Sequence, residues 1–203
     1  MIKTAALIAF ALAGSLASTA AASPFKLKDD GLWVTTAKDR EACGADAGLA
    51  WCSPQTVERV SFSDWSVGRV AQLQASLTAQ FQYSYATDLP WRSHFAEAAA
   101  GARWVDDCDG LTFTVLDALS RAGFPRDKMW RAVVSPQGNA SYVMHMVGIV
   151  EVDGLYLVVG DSDHSAPYPL AKAKFKPQLL SKVSEGARWK RAALNARPLA
   201  RPL

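Results

Sequence analysis

From Ser141 to Asp161 the chain reads SYVMHMVGIVEVDGLYLVVGD, and no other stretch constrains the fold so tightly. It is rich in β-branched and aromatic residues and is interrupted at Asp153-Gly154, so it reads as the two strands of a hairpin. The run MWRAVVS, from Met129, reads as a further strand. Ahead of both lies a segment of different character, WVDDCDGLTFTVLDALSRAGFP, from Trp104 to Pro125. Asp106 or Asp107 can cap a helix there, and Gly123 before Phe124-Pro125 stops it. At ~100° per residue, Cys108, Leu111, Val115, Leu119 and Ala122 fall within about 80° of one another, which sets Cys108 in the first turn on the inward face. A helix of this kind followed by strands defines an α/β chain of the α+β type, with that helix packed on an antiparallel sheet.

The rest of the chain divides around this core. Residues 1–22 form an export signal: Lys3 gives a charged start, Thr4 to Ala17 an apolar stretch, and Ala20-Ala21-Ala22 a small-residue cleavage site. That apolar stretch is short for a membrane span. Residues 23–66 show no sustained period and read as irregular structure with short strands, packed on the core through Trp33, Trp51 and Trp65. The single domain then runs over residues 67–190. It opens on VGRVAQLQASLTAQFQYSY, whose apolar residues at 67, 70, 73, 77 and 81 have helical spacing. WRSHFAEAAAGARW reads as a short helix leading to the cysteine. Residues 191–203 read as a basic, disordered tail. From Lys172 onward there are nine Lys or Arg against one acid, Glu185. Of the 22 basic and 19 acidic residues, 13 and 18 therefore remain in the body. The tail offers little aromatic interleaving, which argues against a nucleic-acid partner, and nothing calls for more than a monomer.

Export gives the three cysteines meaning. Cys43 and Cys52 bracket CGADAGLAWC and are expected to pair in an oxidising compartment, leaving Cys108 as an unpaired thiol. Its neighbours Asp106, Asp107 and Asp109 oppose a thiolate, whereas the unpaired N–H groups and partial positive charge of a helix start favour one. An imidazole favours it further. His145 is the candidate, since it interrupts an apolar strand. A three-residue loop, Val152-Asp153-Gly154, would pair Glu151 with Leu155 and set Asp161 opposite His145. A two-residue turn would put Asp161 on the other face. Gly154 stands where the longer loop needs a left-handed residue, so the longer loop is expected. Cys108, His145 and Asp161 then form the nucleophile, base and orienting acid of a thiol hydrolase. Asp163 and His164 are reserve candidates, and Trp91 and Trp104 read as core or as walls of a substrate groove.

These segments resemble the bacterial transglutaminase-like cysteine proteinases. That family carries Gly-Asp-Cys-Glu-Asp at a helix start, a strand histidine, and Leu-Asp-Asn ending the next strand. The resemblance covers roughly residues 67 to 190. It implies a papain-like or transglutaminase-like core, the roles just given to Cys108, His145 and Asp161, and peptidase activity in the periplasm. It also implies a protein substrate such as a surface adhesin, control by a membrane-bound receptor, and calcium held by Asp107 and Asp109, although no cofactor is needed for the chemistry. Three departures stand out: Asp109 replaces the family's Glu, Gly110 its following Asp, and Ser162 the Asn after the orienting acid. Acyl transfer by the same triad and a non-catalytic binding module are the alternative readings.

Overall fold

The computed structural model describes residues 25–27, 35–54, 65–85, 90–136 and 144–194. The elements in chain order are β1 (Phe25–Leu27), α1 (Ala37–Ala45), α2 (Val67–Thr78), β2 (Phe81–Tyr83), α3 (Phe95–Ala99), β3 (Trp104–Asp106) and α4 (Cys108–Arg121). They are followed by β4 (Met129–Pro136), β5 (His145–Val152), β6 (Leu155–Val159), β7 (Tyr168–Pro169), β8 (Phe175–Lys182) and β9 (Lys190–Leu194). Seven strands form one antiparallel sheet in the order β1-β9-β8-β4-β5-β6-β7, and β2 and β3 make a separate parallel pair.

Helix α4 organises the core. Asp107 caps it by accepting from the Asp109 N–H at 3.0 Å, and Gly123 leaves it with φ +86°. One face packs on β5 and β6, while α2 and α3 cover the other. Every residue from Gly110 to Leu119 is therefore buried, a wider apolar surface than the single stripe read from the sequence. Most of its buried polar atoms are paired, Asp117 Oδ1 being an exception. Thr114 accepts from the His94 N–H at 2.8 Å, and Asp117 accepts from Ser93 and Arg121 at 2.9 and 3.0 Å. A second apolar layer, built on Trp130, Val147, Ile149, Val158 and Leu180, lies on the far side of the sheet.

Three expectations are corrected. Residues 23–66 are not irregular throughout, because Ala37–Ala45 is helical. Thr36 and Asp39 cap that helix reciprocally, the Asp39 N–H donating to Thr36 Oγ1 at 3.0 Å and the Thr36 hydroxyl to Asp39 at 2.8 Å. Nor is the tail free from residue 191, since Lys190–Leu194 forms β9, between β8 and β1. Helix α2 stops at Thr78, and Phe81–Tyr83 is a strand. Residues 1–22 and 195–203 lie outside the described residues.

The N-terminal segment is stitched to the sheet by a buried cluster. Asp39 accepts from Arg131 of β4 and from the indole N–H of Trp189, each at 2.6 Å. The guanidinium lies among the rings of Trp51, Phe113 and Trp189. The Cys43–Cys52 disulfide closes the loop that delivers Trp51.

Candidate active site

The hairpin turns differently from the expectation, yet its two polar residues meet. Val152 pairs with Leu155, so Asp153 and Gly154 form a two-residue turn with φ of +51° and +71°. The short turn wins because both central residues accept left-handed backbone. In that register Asp161 would face away from His145. The ladder ends at Gly148↔Val159, however, and Gly160 redirects the chain at φ +61°. Gly160 is held from three directions. Its N–H donates to Gln74 Oε1 at 3.0 Å, its carbonyl lies 3.0 Å from the Thr112 hydroxyl, and a Cβ there would stand 2.7 Å from Thr112 Cα. Beyond this bend the Asp161 carboxylate reaches His145, with Nε2 to Oδ1 at 3.0 Å.

Asp161 is buried and fully engaged. Besides His145 it accepts from the Asp163 N–H at 3.1 Å, from His164 Nδ1 at 3.2 Å and from the Tyr168 hydroxyl at 2.5 Å. Burial alone would raise its carboxyl, but hydrogen bonds from His145, Tyr168 and the Asp163 N–H hold it down at about 2. Burial likewise pulls the His145 imidazole down, whereas hydrogen bonds with Asp161 and Cys108, and their charges, push it up to about 10. With Nε2 engaged by Asp161, Nδ1 is the ring nitrogen left for the sulfur. A charged imidazole is thereby held beside Cys108, the one free cysteine.

Each of the three carboxylates crowding that sulfur has other work. Asp106 Oδ2 lies 2.8 Å from His94 Nε2, whose ring stacks on Trp104, and Asp106 Oδ1 accepts from the Asp107 N–H at 2.8 Å. Asp107 is the helix cap. The Asp109 carboxyl is pushed up to about 8 by burial, by its hydrogen bond with Asp107 and by the charges of Asp107 and Asp106, with Lys38 opposing. Ligand atoms of Asp107, Cys108 and Asp109 all lie within 4.8 Å of one another, as do those of His145, Asp161 and Asp163. A Cβ at Gly110 would come within 2.3 Å of the Asp106 carboxylate, so Asp106 fills the space a side chain at 110 would need.

The sequence reading thus placed Cys108, His145 and Asp161 together and missed what fixes them: Tyr168, Gly160, Thr112, Gln74 and the His94–Asp106 pair. Trp104 belongs to the core, and Trp91 is half-buried against it. Trp104 stacks on His94 and meets Phe81 at a tilt, and Trp91 packs on Phe113 and Trp189.

Fold and site together define an α+β domain that sets a cysteine, at the start of a buried helix, against a histidine–aspartate pair carried by an antiparallel sheet. Two solved structures of Legionella pneumophila LapG are similar to it. One has a TM-score of 0.48 at 19% identity, over 64% of this chain and 72% of that one. The other, calcium-bound, has a TM-score of 0.44 at 18% identity, over 66% and 80%. No family model and no curated protein matches the chain.

Proposed function

We propose that the chain is an exported cysteine endopeptidase that hydrolyses a peptide bond in a protein substrate, working in the periplasm after loss of residues 1–22. The observation that carries this is the convergence of three side chains from separate elements: Cys108 from the start of α4, His145 from the start of β5, and Asp161 from the bend after β6, with His145 and Asp161 3.0 Å apart. In this reading His145 takes the proton from Cys108. The sulfur attacks the scissile carbonyl, and His145 gives its proton to the leaving amine. His145 then takes a proton from the water that releases the acyl-enzyme, while Asp161 keeps the ring oriented. The resemblance noted above makes a surface adhesin the first substrate to try, and a membrane-bound receptor the first regulator.

The two carboxylates of Asp107 and Asp109 suit calcium, which takes six to eight oxygen ligands in general. Their crowding, visible in the raised Asp109, is what a dication relieves. Bound there, calcium would supply charge and rigidity to the helix start and take no part in bond making.

Iodoacetamide at about pH 6 tests the central pair, because only an activated thiolate alkylates quickly there. Stoichiometric labelling of Cys108 that is lost in His145→Ala is expected. Labelling at the rate of a free thiol in both proteins would leave a non-catalytic module instead. Comparing surface and secreted proteins of cells carrying wild type or Cys108→Ala then identifies the substrate. A labelled primary amine, incorporated or not, separates acyl transfer from hydrolysis.

A further inference from the structure

One phenol lies beside the strand that leads into α4 and has no part in the triad. Tyr83 ends β2, which runs parallel to β3 with Tyr83 opposite Asp106, and the Ser84 N–H donates to the Asp106 carbonyl at 3.0 Å. This pairing brings Tyr83 to the start of α4. Phe81 and Tyr83 lie on the half-buried side of β2 and Gln82 on the exposed side. Phe81 packs on Trp104 with ring centroids 4.6 Å apart, and Tyr83 meets Phe81 at 6.3 Å. From the solvent side the ring of Tyr85, 90% exposed, meets Tyr83 edge-on at 4.7 Å. Among the described residues no group hydrogen-bonds the Tyr83 hydroxyl. Burial, then the charges of Cys108, Tyr85, Asp107 and Asp163, push it up to about 12. Like any tyrosine it is a donor at neutral pH, and the strand pairing sets it two residues from the start of α4.

We propose that the Tyr83 hydroxyl donates the second hydrogen bond, beside the backbone N–H of Cys108, to the oxyanion formed when the sulfur adds to a substrate carbonyl. The inference rests on the thiol-hydrolase reading. As the first residue of α4, Cys108 has an N–H without an intrahelical partner, which gives one donor. Tyr83 gives the other. As the sulfur–carbon bond forms, the carbonyl π pair moves onto oxygen, and both donors stabilise that charge while keeping their protons. Collapse of the intermediate returns the pair and expels the leaving group.

Two reactions of the same sulfur test this. Acylation by p-nitrophenyl acetate, followed as nitrophenolate release, passes through an oxyanion, whereas alkylation by iodoacetamide displaces iodide at a saturated carbon and does not. Tyr83→Phe keeps the ring and its packing and removes only the hydroxyl. Its acylation rate is expected to fall by about 100-fold or more, with alkylation within about twofold of wild type. Acylation at the wild-type rate overturns the proposal. So does a parallel loss in both reactions, which would assign Tyr83 to the thiolate itself. A wild type that acylates no faster than Cys108→Ala fails the hydrolase reading, a different result from either.

Discussion

Asp161 accepts from four groups at once, and that saturation fixes its carboxylate without help from Ser162. The Tyr168 hydroxyl and His164 hold the oxygen that His145 leaves free, so the carboxylate cannot pivot away from the imidazole. Removing the hydroxyl in Tyr168→Phe should lower kcat by about 10-fold at constant KM, with full alkylation of Cys108 retained, since orientation is loosened and no reacting group is lost. His145 sets the pH behaviour. Its folded-state value near 10 lies above the ordinary 6.5, so the stability it contributes is fully present below about pH 6.5 and is lost as pH rises through 10. The melting temperature of wild type should therefore fall more steeply between about pH 7 and 10 than that of His145→Ala, as scanning calorimetry can record.

The start of α4 and the bend after β6 are the two elements on which the site's geometry rests. Gly160 combines a left-handed backbone with a neighbour 2.7 Å from any added Cβ, so Gly160→Ala should cost about 2–4 kcal/mol in urea unfolding and separate Asp161 from His145. At the helix start the pH dependence has the same sign as at His145, in a lower window. The Asp109 carboxyl sits near 8 when folded against the ordinary 3.8, so its burial costs nothing below about pH 4, and the penalty grows from there and is complete once pH has risen through 8. Calcium should consequently raise the melting temperature more at about pH 8 than at pH 5, and the difference should shrink in Asp109→Asn.

These elements also show what a sequence can disclose. Helix α4 was legible because its cap, stop and periodicity are local. The meeting of His145 with Asp161 was anticipated through a three-residue loop that does not form. The two-residue turn adopted instead would have separated them, and only the bend at Gly160, imposed by Thr112 and Gln74, restores the contact. Nothing near Gly160 in the chain announces a partner 48 residues away. For the same reason α1 went unread, although Thr36 and Asp39 carry a local capping pattern, because the tie from Asp39 to Arg131 spans 92 residues.

At the scale of the whole molecule, the buried Arg131 links α1 to Trp189, just ahead of β9. Removing its partner in Asp39→Ala would leave a buried cation uncompensated, and a loss of about 3–5 kcal/mol in denaturant unfolding is expected. Breaking the Cys43–Cys52 bridge, which positions Trp51 against the same guanidinium, should cost about 2–3 kcal/mol by the loop-closure argument. Trp189 completes the cluster by donating to Asp39 across 150 residues. The guanidinium therefore has its full set of partners only once Trp189 is in place, and the sulfur-bearing helix packs its Phe113 against that same group. The packing behind Cys108 thus depends on a residue far along the chain, and a fragment truncated before Trp189 should show Cys108 alkylated no faster than a free thiol.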